Sequence, residues 1–205
     1  MNALHKRIFD ISYQCQTTHI GSCISCVNII DKIYNKKSKS DIFCLGNSHA
    51  FLALAVILEK YENKNALQLF QKHGTHVNRD LEDKIFVSGG SLGMVESIAL
   101  GIAISQPNIN VFLLSSDGGT MPGIFWETLR IKADNKINNL IWYINCNGFG
   151  AFSEINIDNL SKRIKSFDPK IKIIRTKHNY PFLQGLEAHY KKIDDSEYNR
   201  YIKNA

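Results

Sequence analysis

Residues 111–150 read VFLLSSDGGTMPGIFWETLRIKADNKINNLIWYINCNGFG. Two continuous apolar runs, 111–114 and 140–144, flank a stretch of helical character, Gly123–Asp134. Each run empties into a polar loop, SSDGG after the first and NCNGFG after the second. Unbroken apolar strands fit a sheet buried on both faces, and a helical return between them makes the pair parallel. Ligands of such sheets sit beyond the carboxyl ends of the strands. The two loops are therefore the first place to look for chemistry.

Asp117 and Asn147 stand 30 residues apart, the length of one strand–helix–strand return. Loops closing adjacent parallel strands would bring these side chains together. Mg²⁺ takes hard oxygen ligands in near-octahedral geometry, with phosphate and water completing its shell, and Ca²⁺ takes the same oxygens more loosely. Asp117 offers charge, Asn147 a neutral oxygen, and a backbone carbonyl such as that of Phe149 a third protein ligand. Gly118 and Gly119 let the backbone approach a phosphate, and the helix that follows is expected to aim its N-terminus there. Either loop alone reads equally as a plain turn; their pairing, each after an apolar strand, favours a site.

Outward from this centre the pattern repeats. Helices are expected over 2–15, 22–35, 50–61, 65–72, 92–105, 157–166 and 196–203, and further buried strands at Ile42–Leu45 and 171–175. Strands alternating with helices predict an α/β fold, a doubly wound and mostly parallel sheet with helices on both faces. With no repeat or linker, 205 residues read as one domain spanning 1–205.

Composition narrows the function. The formal net charge is +6, but the lysines are scattered, without the aromatic-basic pattern of an RNA binder, so no nucleic-acid partner is expected. No run approaches the roughly 20 apolar residues of a membrane span, and the N-terminus lacks the features of a signal peptide. A cytoplasmic protein is expected. Five cysteines at irregular spacing make no disulfide framework, and the single C-x-x-C of Cys23 and Cys26 lacks the second pair of a structural zinc site. Buried free thiols are the expectation.

The 111–150 stretch resembles the thiamine diphosphate signature, G-D-G followed about thirty residues later by Asn, and the transketolase version in particular. Other segments carry the resemblance across nearly the whole chain. THIGSCIS at 18–25 is similar to the family's G-H-x-G-G-S-x-S, LGNSHA at 45–50 to S-K-G-H-A, GTHV at 74–77 to G-H-P, and SGGSLG at 88–93 to T-G-S-L-G. His189 falls where the family has W-H, after a strand end that reads IIRTKHNY.

By that resemblance, Asp117, Asn147 and the Phe149 carbonyl hold Mg²⁺ or Ca²⁺, and the Gly118 amide meets the diphosphate of thiamine diphosphate. His49 and His189 contact the diphosphate or the reacting carbons. His19 and His76 line the substrate channel, while Ser91 and Leu92 meet the aminopyrimidine. Imidazole suits these tasks because it exchanges protons near neutral pH. His5, His73 and His178 fall outside the matched positions and read as structural or solvated.

The resemblance covers only the diphosphate-binding half of a transketolase. The pyrimidine-binding domain, with the Glu that activates the cofactor, is expected on a separate C-terminal subunit, the whole forming a heterotetramer. The implied reaction moves a two-carbon ketol unit between sugars or sugar phosphates. Alternatives are an alpha-like subunit of a 2-oxo acid decarboxylase or dehydrogenase, and a non-catalytic scaffold. Ser116 replaces the first Gly of G-D-G, Pro122 stands where the family has a Glu that links two active sites, and the segment between Ser153 and Ile171 is shorter than usual.

Overall fold

A computed structural model describes residues 2–150 and 153–203. Four strands, β1 (Ile42–Leu45), β2 (Val111–Ser116), β3 (Leu140–Cys146) and β4 (Lys172–Arg175), form an entirely parallel sheet in the order β1-β2-β3-β4. The α-helices are α1 (Ala3–Cys15), α2 (Ile20–Tyr34), α3 (Phe51–Glu62), α4 (Ala66–His73), α5 (Met94–Ser105), α6 (Gly123–Asp134), α7 (Ile157–Phe167) and α8 (Asp195–Tyr198).

Period-two alternation divides each strand between two cores. Phe43, Leu45, Phe112 and Leu114 point into a core built with α1, α2 and α3. Cys44, Val111, Leu113, Leu140, Trp142, Ile144 and Cys146 point into the other, against α5, α6 and α7. Helices α2 and α3 are apolar around most of their circumference because each is sandwiched between neighbours as well as against the sheet. The doubly wound α/β class read from the sequence is what the chain adopts.

Local chemistry explains the boundaries. Asn2, Asn65 and Asn156 cap α1, α4 and α7, each accepting a backbone amide of the first turn. The helix expected from residue 92 starts only at Met94, because Gly93 holds a left-handed φ of 84°. The helix expected over 196–203 is a short α8 followed by a π-type turn, Asn199–Lys203. No described helix is long and apolar enough to cross a membrane.

The parallel register aligns the strand ends. Leu45 pairs with Leu114, Ser116 with Asn145, and Cys146 with Arg175. Asn47, Asp117, Asn147 and Thr176 consequently follow one another along the carboxyl edge of the sheet.

Candidate active site

A cavity of about 1000 Å³ opens on that edge. Its lining includes His19, His49, His76, Leu92, Asp117, Gly118, Asn147, Phe149 and His189. Of the residues expected at the site, Ser91 and Gly119 are outside the lining; Ser91 is exposed on the loop before α5, and Gly119 is buried in the turn after Asp117.

Asp117 ties the site together. Its side chain is buried, with one oxygen accepting the Gly118 amide at 3.1 Å and the other the Gly148 amide at 2.7 Å. The loops after β2 and β3 thus meet on one carboxylate. Gly148 can turn there because its φ is +90°, in the left-handed region open to glycine. Burial pushes the Asp117 carboxyl up to about 6, against the opposing pull of these amides. No cation pairs with it among the described residues.

Neighbouring polar groups brace the two loops. Asn147 accepts the Phe149 amide at 2.9 Å in a tight Asx turn. The Ser116 hydroxyl accepts the Gly119 amide at 3.2 Å, so the serine in place of glycine caps the turn it enters. Asn145 bridges Ser25 on α2 and Thr176 after β4. The expectation that α6 aims its N-terminus at the site is corrected. The DGG segment winds into its own 3-10 turn, Gly118–Thr120, and α6 starts beyond Pro122. The amide at the cavity therefore belongs to that turn, since Gly118 is in the lining and the first residues of α6 are not.

Three histidines cluster opposite. The ring centroids of His19 and His189 lie 4.3 Å apart, those of His19 and His49 5.1 Å, and those of His49 and His189 5.8 Å. His19 adopts a left-handed φ of 60° ahead of α2, and its amide donates to the His189 carbonyl at 3.0 Å. His49 Nε2 lies 3.2 Å from the Ser22 hydroxyl. Burial, reinforced by neighbouring imidazoles, lowers His19 to about 4 and His49 to about 3; burial also lowers His189. All three rings are neutral at pH 7, able to donate or accept a hydrogen bond without adding charge. His76 lies exposed on the cavity lining beside Gly90.

Glycine makes the loops fit. A Cβ on Gly89 would fall 2.2 Å from Ser48 Cβ, so the SGGSLG loop presses directly on the segment that presents His49.

Three residues escaped the sequence reading. His178 lines the cavity, with Nδ1 buried and unpartnered. Asn47 also lines it, almost wholly buried, and among the described residues neither end of its carboxamide meets a nitrogen or oxygen partner. Glu96, fully buried on α5, reaches toward Gly46, the Ser115 hydroxyl and Gly119 beneath the DGG turn, with no cation paired to it among the described residues. Asn47 and His178 lie inside the LGNSHA and IIRTKHNY segments, of which only His49 carries a role by the resemblance, and nothing in the pattern marks Glu96. His73 and His5 have structural partners instead: His73 Nε2 lies 2.8 Å from Asp83, and His5 Nδ1 lies 3.1 Å from the Tyr180 hydroxyl. The cysteines are free thiols, four buried and Cys15 half-buried.

The donor set fits a hard divalent cation. Asp117, Asn147 and the Phe149 backbone can each present an oxygen ligand, and a buried carboxylate with no counter-cation among the described residues is what such an ion would neutralise.

No family model matches the chain. It is 25% identical over 162 residues to an apulose-4-phosphate transketolase subunit from Phocaeicola vulgatus, covering 69% of this chain and 57% of that protein. Among solved structures, a transketolase from Campylobacter jejuni overlays with a TM-score of 0.71 at 14% identity, over 96% of this chain and 42% of that one. A mutant transketolase from Pichia stipitis in complex with fructose 6-phosphate gives 0.70 at 16% identity, over 96% and 40%. The chain spans less than two thirds of each of these relatives. Its fold is that of transketolases, and its sequence is similar to one chain of a split transketolase, in keeping with the resemblance read from its motifs.

Proposed function

We propose that this chain, transketolase-like in fold and in sequence, is the thiamine-diphosphate-holding subunit of a transferase that moves a two-carbon ketol unit between sugars or sugar phosphates. The observation that carries the reading is Asp117, a buried, unneutralised carboxylate on which the loops after β2 and β3 converge at the cavity. Asp117, Asn147 and the Phe149 carbonyl would hold Mg²⁺ or Ca²⁺, and the Gly118 amide would meet a diphosphate oxygen. When bound, thiamine diphosphate supplies the carbanion chemistry that lets a ketol fragment leave one sugar and join another.

The protein's own contribution is placement and proton handling. His49 and His189 would orient the diphosphate and the reacting carbons as neutral imidazoles. His19, in ring contact with both, and His76 would bind substrate hydroxyls and carry protons on the channel side. Leu92 offers an apolar wall to the aminopyrimidine; Ser91 would join it only with movement of the exposed loop.

A second polypeptide would complete the site with the activating Glu, two copies of each chain making a heterotetramer. An apolar surface supports such a partner. Met94, Ile98 and Ile104 on α5 are exposed, as are Ile124 on α6, which packs near Gly93 at the start of α5, and Met121 just before it. Met121 also reaches the loop at Gly150, which lines the cavity. Free, mostly buried thiols suit a reducing cytoplasm.

The test mixes this chain with a separately produced C-terminal transketolase chain, thiamine diphosphate and Mg²⁺. Ketol transfer from a panel of ketose phosphates should appear only in the mixture. Turnover by this chain alone would contradict the division of labour, and none from any donor in a stable mixture would contradict the transferase.

A further inference from the structure

We infer that Asn47 is a cofactor-contacting residue whose carboxamide donates to a diphosphate oxygen from the β1 side of the cavity, on the opposite flank of Asp117 from Asn147. The inference rests on reading the cavity as a thiamine diphosphate site.

Asn47 follows β1 by two residues, and the β1–β2 register, Leu45 with Leu114, sets it beside the end of β2 that leads into Asp117 and Gly118. With the sheet ordered β1-β2-β3, Asn47 and Asn147 flank the β2 loop from its two sides. The 88–91 loop and the 3-10 turn Ser48–Ala50 hold this corner, Gly89 packing against Ser48 and the Ala50 amide donating to the Asn47 carbonyl.

The side chain is only 1% exposed and lines the cavity, yet among the described residues neither its oxygen nor its nitrogen meets a nitrogen or oxygen partner. The Cys26 sulfur gives the Asn47 amide only a weak acceptor, and that thiol's own S–H goes to the Cys23 carbonyl. Asn145, on the same cavity lining, differs in having a partner at each end, Ser25 for its nitrogen and Thr176 for its oxygen. Buried carboxamides in folded proteins are almost always satisfied, and one that is not, at a cavity wall, is placed to take a partner from outside the chain. Its amide hydrogens match an anionic oxygen, and unlike a lysine it would leave the local charge to the metal and the phosphate.

Calorimetry on the full chain tests this with two probes, thiamine diphosphate and inorganic pyrophosphate, each with Mg²⁺. Asn47→Ala should weaken both by roughly tenfold or more, the usual consequence of losing a hydrogen bond to a charged group. Asn47→Asp, near in shape but acceptor-only and negative, should weaken both further. Thermal melts identify any variant that misfolds, and Asn47→Ser then serves as the second truncation. Wild-type affinity in Asn47→Ala overturns the inference and leaves the site intact. Loss for thiamine diphosphate but not pyrophosphate overturns the diphosphate contact. If the wild type binds neither probe, the reading of the cavity fails first and takes the inference with it.

Discussion

The Asp117 carboxylate accepts the amide of Gly148 across 2.7 Å, joining residues 31 positions apart in the chain. The bond gives one side chain two tasks: it fixes the loop that carries Asn147 and Phe149, and it presents charge to the cavity. Binding geometry and local fold are therefore coupled at this residue.

The histidine cluster predicts an acid sensitivity of defined sign. His19 is lowered to about 4 and His49 to about 3 from an ordinary 6.5. Below pH 6.5 the unfolded chain takes up protons on these rings while the folded chain does not, so stability falls as pH drops from 6.5 toward 4. Chemical denaturation between pH 4 and 8 should show this slope, and His49→Gln should remove about one proton from it. The ring NMR signals of His19 and His49 should stay in the neutral form at pH 5.5; titration near 6.5 would contradict the buried cluster.

Glu96 carries the opposite sign. Burial raises its carboxyl above the usual range, so its stabilising contribution is complete below the unfolded value and lost as pH rises through the folded one. Glu96→Gln should therefore stabilise the cofactor-free chain at pH 7 to 8, with the gain fading in acid. Denaturant midpoints at pH 4 and pH 8 provide the check, and a Gln variant less stable at pH 8 would show that the charge has a partner.

Gly89 sets the spacing between two loops of the site. Gly89→Ala would drive a methyl into Ser48 and should destabilise the chain by about 1–3 kcal/mol, as overpacked cores do. The His49 segment would shift with Ser48, so thiamine diphosphate affinity should fall as well. A variant with an unchanged melting temperature would mean that the two loops do not touch.

Much of the sheet was legible because residues 111–114 and 140–144 are apolar without interruption and too short for a helix of the usual length, a pattern that suits a doubly covered strand. Asp117 and Asn147 were legible because both follow such strands at one return's distance. The positions of His19, His49, His76 and His189 at the cavity came from the motif resemblance, since nothing local distinguishes them from His5 or His73. His178, Asn47 and Glu96 were not legible. Their environments are made by segments that the sequence separates, and burial of a polar side chain leaves no periodic trace. The span of α6 was legible, but its aim was not. Pro122 precedes its first residue, Gly123, and favours the entry to a helix, which leaves DGG to form a separate 3-10 turn between α6 and the cavity.

The central claim is tested most directly by titrating thiamine diphosphate and Mg²⁺ into the wild-type chain, Asp117→Ala and Asn147→Ala, with thermal melts alongside. The account predicts metal-dependent binding to the wild type that chelation reverses, and loss of at least about a hundredfold in affinity in each variant that still folds, as removal of a ligand from a charged centre entails. Wild-type affinity in both variants, or binding indifferent to the metal, would contradict it.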